Sequence, residues 1–147
     1  MTIQDVIDKI LAYHPAIDNP QTCDGVKCGD PSQPVTAVAV SCAPTYEVVK
    51  KAAALGCNLL VCHEPTFYSH ADTTGWLEGD PVYQEKMRVI NESGLVIFRD
   101  HDHLHAHDPD GIYFGVMKEL GWEPYRADSG RRPMFYTLPE TTVGAVG

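Results

Sequence analysis

Four of the seven histidines in this 147-residue chain lie within eight residues, from His101 to Asp108. Imidazole nitrogens and carboxylate oxygens are the ligands that divalent transition metals commonly take in proteins. His101 and His105 are four residues apart, so a helical turn would place both on one face. In an extended segment the alternate histidines, from His101 to His107, would align instead. Either conformation can chelate a metal ion, and both remain open at this point.

A second group of possible ligands, His63-Glu64, follows a different predicted strand. The predicted strand 58–62 runs directly into this pair, and the predicted strand 95–98 leads through Arg99-Asp100 into the histidine cluster. The carboxyl ends of parallel strands converge on a crevice, so neighbouring strands would bring the two groups together. This arrangement favours a metal site over separate solvated side chains.

Other basic and polar residues have simpler interpretations. His14 stands beside a proline that ends a helix and His70 lies in a polar loop, so we expect both to be structural or solvated, although His70 could reach the site. The pair Arg131-Arg132 could hold a substrate phosphate, but a solvated loop is the simpler explanation.

The elements that must position these ligands alternate between strands and helices. A helix is predicted between its cap at Thr2 and Pro15, and the segment 16–34 is predicted to be irregular. The further predicted strands are 35–41, 58–62 and 95–98, with 134–138 as a candidate, and the further predicted helices are about 45–55, 80–93 and 110–120. Such alternation predicts right-handed βαβ units, and therefore an α/β fold with a mostly parallel sheet flanked by helices.

Composition limits the domain count and the partners. The length of 147 residues predicts a single α/β domain. A net charge of −9 argues against nucleic acid as a partner, and the apolar runs are too short for a membrane span. The N-terminus has no features of a secretory signal, and an odd number of cysteines, five, argues against disulfide staples. These features predict a cytoplasmic protein.

Three segments of the chain resemble motifs of the Nif-three-like dinuclear-metal protein family, also called GTP cyclohydrolase 1 type 2-like. The segment 22–31 is similar to the family's Trp-Asp-Asn-x-Gly-Leu region and the Gly-Asp-Pro that follows it. The segment 56–65 resembles Gly-Ala-Asn-Leu-Ile-Val-x-His-His-Pro, and 101–105 stands where the family has His-Thr-Asn-Leu-Asp. Gly111 and the helix that ends at 119–122 also fit, so the resemblance covers most of the chain.

The resemblance implies a site with two divalent transition metal ions, such as Zn, Fe, Mn or Ni. The ligands it implies are His63, Glu64, His101 and His105, with Glu64 as the bridge between the ions. Two positions depart from the family pattern, because Glu64 replaces a histidine and His105 replaces an aspartate. The family also has a His-x-x-x-Glu pair near the end of a second half, whereas the last histidine here is His107. Residues 1–147 are therefore expected to be the N-terminal part of a longer architecture, unless the site is incomplete or His103 and His107 substitute.

The resemblance also implies a homo-oligomer, expected as a hexamer, and a metal-dependent hydrolase that acts on a small molecule such as GTP. The ions would activate water for attack at a purine carbon or a phosphorus. The acidic residues that could act as base or hold an imidazole are Asp100, Asp102 and Asp108. One alternative is a non-catalytic metal-binding scaffold. Another is a phosphoesterase of the polymerase-and-histidinol-phosphatase type, because His103-x-His105 and the following 109–111 resemble motifs of that family.

Overall fold

Four short strands form the sheet that positions the candidate ligands. The computed structural model describes residues 1–127 and 135–146. The strands are β1 (Gly25–Cys28), β2 (Val38–Ser41), β3 (Leu59–Cys62) and β4 (Val96–Arg99), and their order in the sheet is β1-β4-β3-β2. β2 pairs with β3 and β3 with β4 in parallel, while β1 pairs with β4 in the antiparallel direction. The predicted α/β class with a mostly parallel sheet is confirmed.

Three helices accompany the sheet, and their ends follow the sequence signals. They are α1 (Ile3–Tyr13), α2 (Tyr46–Ala54) and α3 (Pro81–Ser93). Thr2 forms a capping box with Asp5, and Asp80 accepts hydrogen bonds from the first turn of α3. Gly94 ends α3 in the left-handed conformation, with φ of 65°. A 3-10 turn at Gly75–Leu77 precedes α3.

Alternate residues of the central strands enter two separate apolar clusters. Leu59, Val96 and Phe98 pack with Ile3 and Ile7 of α1. Leu60, Cys62 and Ile97 belong to the cluster that also contains residues of α2 and α3, including Val49, Ala52 and Ile90. Since neighbouring strand residues point to opposite faces, the sheet is covered on both sides, which explains why β4 is buried along its whole length.

Strand β1 differs from the prediction, because it lies within the segment 16–34 that we expected to be irregular. Its pairing with β4 shifts register between Val26 and Cys28. Gly29 then turns the chain with φ of 83°, and a Cβ atom there would lie 2.7 Å from the backbone oxygen of Leu95. Only glycine fits this conformation and this close approach without strain.

Contacts divide the chain into two compact units, residues 1–103 and 104–147. The first unit holds the sheet and α1 to α3, and the short helix α4 (Asp102–His105) crosses the boundary. The second unit contains α5 (Gly111–Leu120), a 3-10 turn at Glu123–Tyr125 and α6 (Val143–Val146).

The second unit accounts for only part of the candidate strand 134–138. An isolated antiparallel bridge joins Arg126 to Tyr136. The pair Arg131-Arg132, and with it the idea of a phosphate contact, lies outside the described residues. Among the described residues, no helix combines the length and the apolar character that a bilayer span requires.

Candidate metal centre

His63 and His101 meet at the carboxyl ends of two neighbouring parallel strands. His63 directly follows β3, His101 lies two residues beyond β4, and the last residues of these strands, Cys62 and Arg99, are paired. The two imidazole rings stack with their centroids 4.4 Å apart and their planes 20° apart. His63 is 9% exposed and the side chain of His101 is 22% exposed. The structure thus brings together two of the predicted ligands at the expected edge of the sheet.

The Nδ1 atoms of these rings face hydrogen-bond acceptors. His101 Nδ1 lies 2.8 Å from Asp102 Oδ1, and His63 Nδ1 lies 3.3 Å from the backbone oxygen of Asp100. An ionised carboxylate and a carbonyl oxygen can only accept, so Nδ1 is the donor in each ring, and in a neutral imidazole with this tautomer Nε2 carries the lone pair. Metal-binding histidines are commonly held this way, with one ring nitrogen donating to a carboxylate or carbonyl group.

Asp24 anchors the loop that carries His101. Its Oδ1 accepts the backbone N–H groups of His101 at 2.7 Å and of Asp102 at 2.9 Å. Its Oδ2 accepts the backbone N–H of His103 at 2.9 Å and the ring Nδ1 of the same residue at 2.6 Å. Burial raises the pKa of Asp24, but the hydrogen bonds from His103, Asp102 and His101 outweigh it and hold the pKa below its ordinary value.

Asp102 is held ionised by a second set of donors. Its Oδ2 accepts from Thr22 Oγ1 at 2.8 Å, from Asn19 Nδ2 at 3.1 Å and from the backbone N–H of Cys23 at 3.3 Å. Burial raises the pKa of Asp102, but hydrogen bonds, first those from His101 and Thr22, bring it well below its usual range. An ionised Asp102 can hold the imidazole of His101 in a fixed tautomer.

Cys23 adds a thiol beside this carboxylate. The ligand atoms of Cys23, His101 and Asp102 all lie within 4.8 Å of one another, so these residues could hold an ion together. Burial raises the pKa of the Cys23 thiol to about 11. The sequence around Cys23 does not predict a metal site, because no second cysteine pair completes a zinc motif with Cys23 and Cys28.

Asp100 directly follows β4, and its side chain contacts His14. Its Oδ2 lies 2.9 Å from His14 Nε2, and the two side chains are 10% and 3% exposed. This contact gives His14 a structural partner, as the sequence analysis expected. Asp100 Oδ1 is buried and has no hydrogen-bond partner among the described residues. A buried carboxylate oxygen without a donor favours a cation nearby.

Arg99 supports the two loops around the site from inside the protein. Its side chain is fully buried. Nε donates to the backbone oxygen of His63 at 3.0 Å, and Nη1 donates to the backbone oxygen of His70 at 2.5 Å. The His70 ring approaches His101 edge-on, with centroids 5.4 Å apart. Arg99 therefore fixes the position of His63 and brings the His70 loop beside the histidine pair.

Glu64 and His105 are the other two predicted ligands. Glu64 is exposed, and its backbone N–H donates to the oxygen of Cys42 at 2.8 Å. His105 is the last residue of the short helix α4, and His101 lies immediately before its first residue. Within the second unit, His105 Nδ1 lies 2.7 Å from Oδ2 of Asp110, which is fully buried and caps α5. His105 thus shows the same Nδ1 arrangement as His63 and His101.

Three residues that shape this site, Asp24, Cys23 and Arg99, were not predicted. The motif around Asp24 matched a family segment, but nothing in its spacing indicates contacts with a loop 77 residues away. Arg99 follows a buried strand, and a fully buried arginine is unusual enough that only its tertiary contacts reveal its role.

Comparisons with known proteins agree with the fold. Residues 1–131 match the sequence profile of the family described as Duf34/NIF3 (NGG1p interacting factor 3). A "GTP cyclohydrolase 1 type 2 homolog" from Chlamydia muridarum is 29% identical over 130 residues, which cover 87% of this chain and 49% of that protein. The chain therefore spans about half the length of this curated relative.

Two solved structures share the fold. Reduced HcgD from Methanocaldococcus jannaschii aligns with a TM-score of 0.67 and 21% identity, covering 88% of this chain and 52% of that one. A Bacillus cereus protein related to NIF3 aligns with a TM-score of 0.67 and 20% identity, covering 84% of this chain and 33% of that one.

Proposed function

The chain belongs to the Duf34/NIF3 family, and we propose that it binds divalent transition metal through His63 and His101 and serves as part of a metal-dependent hydrolase. The observation that carries the proposal is the stacked pair of rings, 4.4 Å apart, with an acceptor at each Nδ1. With this tautomer Nε2 is the atom through which each neutral ring would bind metal. The buried, partnerless Asp100 Oδ1 among the described residues also fits a positively charged occupant.

We propose that His105 and Glu64 complete the ligand set. His105 lies four residues after His101 at the end of α4, and its Nδ1 lies beside a carboxylate in the same way. Glu64 follows His63 directly and its side chain is exposed, so its carboxylate would be available as the bridging ligand. The metal chemistry that suits imidazole with carboxylate includes Zn, Fe, Mn and Ni.

Cys23 and Asp102 support a second ion position. Both lie within 4.8 Å of a ligand atom of His101. A neutral imidazole gives one lone pair, so His101 would serve one ion while Cys23 and Asp102 were available to the other. A Cys23→Ser variant that lowers the bound metal from two ions per chain to one would place the second ion there. A stoichiometry that does not change would exclude Cys23 as a ligand.

Bound divalent metal would supply Lewis-acid chemistry for hydrolysis. The chain's own residues prepare the site: Asp102 orients His101, Asp24 holds the backbone around it, and Arg99 fixes His63. The name of the Chlamydia muridarum relative supports a nucleotide such as GTP as the substrate class. The non-catalytic scaffold is the competing function.

The hydrolase proposal is tested with metal-loaded protein and a panel of nucleotides and phosphoesters. We expect release of product from at least one nucleotide, and its loss in His63→Ala and Glu64→Gln. Tight, stoichiometric metal with no turnover of any substrate would instead favour the scaffold. A His105→Ala variant that keeps full metal affinity would remove His105 from the ligand set.

We also propose that these residues form the N-terminal part of a longer, hexameric architecture in the cytoplasm. The match to about half of the curated relative supports the first point. All five cysteines lie among the described residues as free thiols, which fits a reducing compartment. Light scattering tests the assembly: a hexamer is expected, and a stable monomer of the full-length protein would contradict it.

A further inference from the structure

A cavity of about 680 Å³ opens beside the first turns of α2 and α3, at the segment between β3 and α3. It shares no residue with the proposed metal ligands. Its floor includes Phe67 and Leu77, which are 7% and 9% exposed. Its size is within the range of cavities that bind small molecules.

Two large aromatic side chains line this cavity but remain open to solvent. Tyr68 is 88% exposed and Trp76 is 62% exposed. Their rings pack edge to face, with centroids 5.5 Å apart. With their planes 78° apart, the two exposed rings form an apolar corner in which a planar ligand can stack on one ring and contact the other edge-on.

The side chain of Lys86 places a positive charge in the same cavity. Lys86 Nζ donates to the backbone oxygens of Pro44 and Thr66, each at 2.5 Å, and lies 5.3 Å from the centre of the Phe67 ring. An ammonium group has three donors, so one remains after these two bonds. Within residues 1–127 and 135–146, no carboxylate forms an ion pair with Lys86. The Asp72 carboxylate, which accepts the backbone N–H groups of Thr66 and Phe67, acts on Lys86 as a nearby negative charge without bonding it, so the remaining donor of this partly buried ammonium can still bind an anionic ligand.

Thr66 supplies a second polar group. It is 3% exposed and lines the cavity, and its Oγ1 is buried with no hydrogen-bond partner in the part of the chain that the structure describes. A buried hydroxyl is normally hydrogen-bonded, so its isolation points to a missing partner. The carboxylate of Asp80 also lines the cavity, but its Oδ1 accepts from Val82 and Tyr83 as the cap of α3.

From these features we propose that the cavity binds a planar aromatic molecule that carries an anionic group. The aromatic part stacks on one of the two rings, Tyr68 or Trp76, and contacts the other edge-on. The anionic group accepts hydrogen bonds from Lys86 and from the hydroxyl of Thr66. The site is independent of bound metal, so it stands even if the metal-centre proposal fails.

Two fluorescent probes with the same aromatic skeleton test the site: 8-anilinonaphthalene-1-sulfonate, and N-phenyl-1-naphthylamine, which lacks the sulfonate. We expect the sulfonate probe to bind the full protein more tightly. Lys86→Met should weaken the sulfonate probe by roughly tenfold or more and the neutral probe by less than about threefold. Thr66→Val removes only the partnerless hydroxyl and should weaken the sulfonate probe by about threefold without lowering the melting temperature.

Trp76→Ala should weaken both probes, while Tyr13→Ala, which removes an exposed aromatic residue of α1 outside the cavity, should leave both unchanged. Near-UV circular dichroism shows whether each variant is folded. Equal binding of the two probes, or folded Trp76→Ala and Thr66→Val proteins that bind like the unmodified protein, would overturn the proposal. The proposal would also be overturned if the protein self-associated, Trp76→Ala abolished that association, and the probes did not affect it. A second copy of the chain would then occupy the cavity.

Discussion

Replacing Asp24 by alanine tests whether this carboxylate holds the ligand loop in place. The change removes the acceptor for three backbone N–H groups and for the His103 ring, at distances of 2.6–2.9 Å. The Asp24 side chain is 3% exposed, so water can replace only part of what is lost. Each hydrogen bond to an ionised group contributes about 1.5–3 kcal/mol, but these four share one carboxylate and are not additive.

We therefore expect Asp24→Ala to lower the free energy of unfolding by about 3–5 kcal/mol, the usual cost of removing one partner from a buried charged pair. Because the backbone of His101 is no longer fixed, we also expect metal affinity to fall by roughly 10- to 100-fold. Urea denaturation measures the first effect, and calorimetric titration with Zn²⁺ under folded conditions measures the second.

Asp80→Ala is the matched control, because Asp80 also accepts backbone N–H groups but caps α3. It should cost about 1 kcal/mol and leave metal affinity unchanged. The reasoning is refuted if Asp24→Ala unfolds within about 1 kcal/mol of the unmodified protein and binds Zn²⁺ with the same affinity.

Three further predictions concern the framework around the site. Gly29→Ala should lower the free energy of unfolding by about 2–5 kcal/mol, because φ is 83° and the new Cβ would lie 2.7 Å from the Leu95 oxygen. Arg99→Lys keeps the charge but loses the planar guanidinium that donates to the backbone oxygens of His63 and His70. We therefore expect the free energy of unfolding, measured by urea denaturation, to fall by about 2 kcal/mol. Iodoacetamide at pH 8 should label exposed Cys42 well before Cys28, as peptide mass spectrometry would show. Burial raises the pKa of Cys28 to about 11, which leaves roughly one thiolate in a thousand at that pH.

Each of these has its own control. Gly56 also has positive φ, at 72°, but a Cβ there meets nothing within 4 Å, so Gly56→Ala should cost only about 1–2 kcal/mol. Equal losses for the two glycine variants would contradict the close-approach argument. Unchanged stability of Arg99→Lys would show that the two guanidinium hydrogen bonds are not needed for stability. Labelling of Cys28 as fast as Cys42 would mean that Cys28 is not protected by burial.

Local signals predicted the elements well because caps and periodicity act over a few residues. Thr2 and Asp80 cap helices as predicted, and the predicted helix starts at Thr45 and Asp110 are also caps in the structure. Strand β1 escaped prediction because four residues, Gly25–Cys28, form a strand only by pairing with β4, and their composition resembles a loop. Strand pairing between distant segments produces little sequence signal within one segment of a few residues.

The candidate site, like the fold, was predicted only in part from the sequence. The positions of His63 and His101 followed from their places after two adjacent strands, which topology brings together. The supporting contacts of Asp24 and Arg99 were not predictable, since each joins segments far apart in the chain. The metal-binding roles of Glu64 and Cys23 remain predictions, which the variants described above test.

The metal content of the purified protein tests the central claim most directly. Elemental analysis of the unmodified protein should find divalent transition metal, and His63→Ala combined with His101→Ala should remove it while circular dichroism shows a folded chain. Cys42→Ser, which removes an exposed thiol but keeps the backbone oxygen that accepts from His63 and Glu64, should retain the metal. Unchanged metal content in the double variant would contradict the assignment of His63 and His101 as ligands.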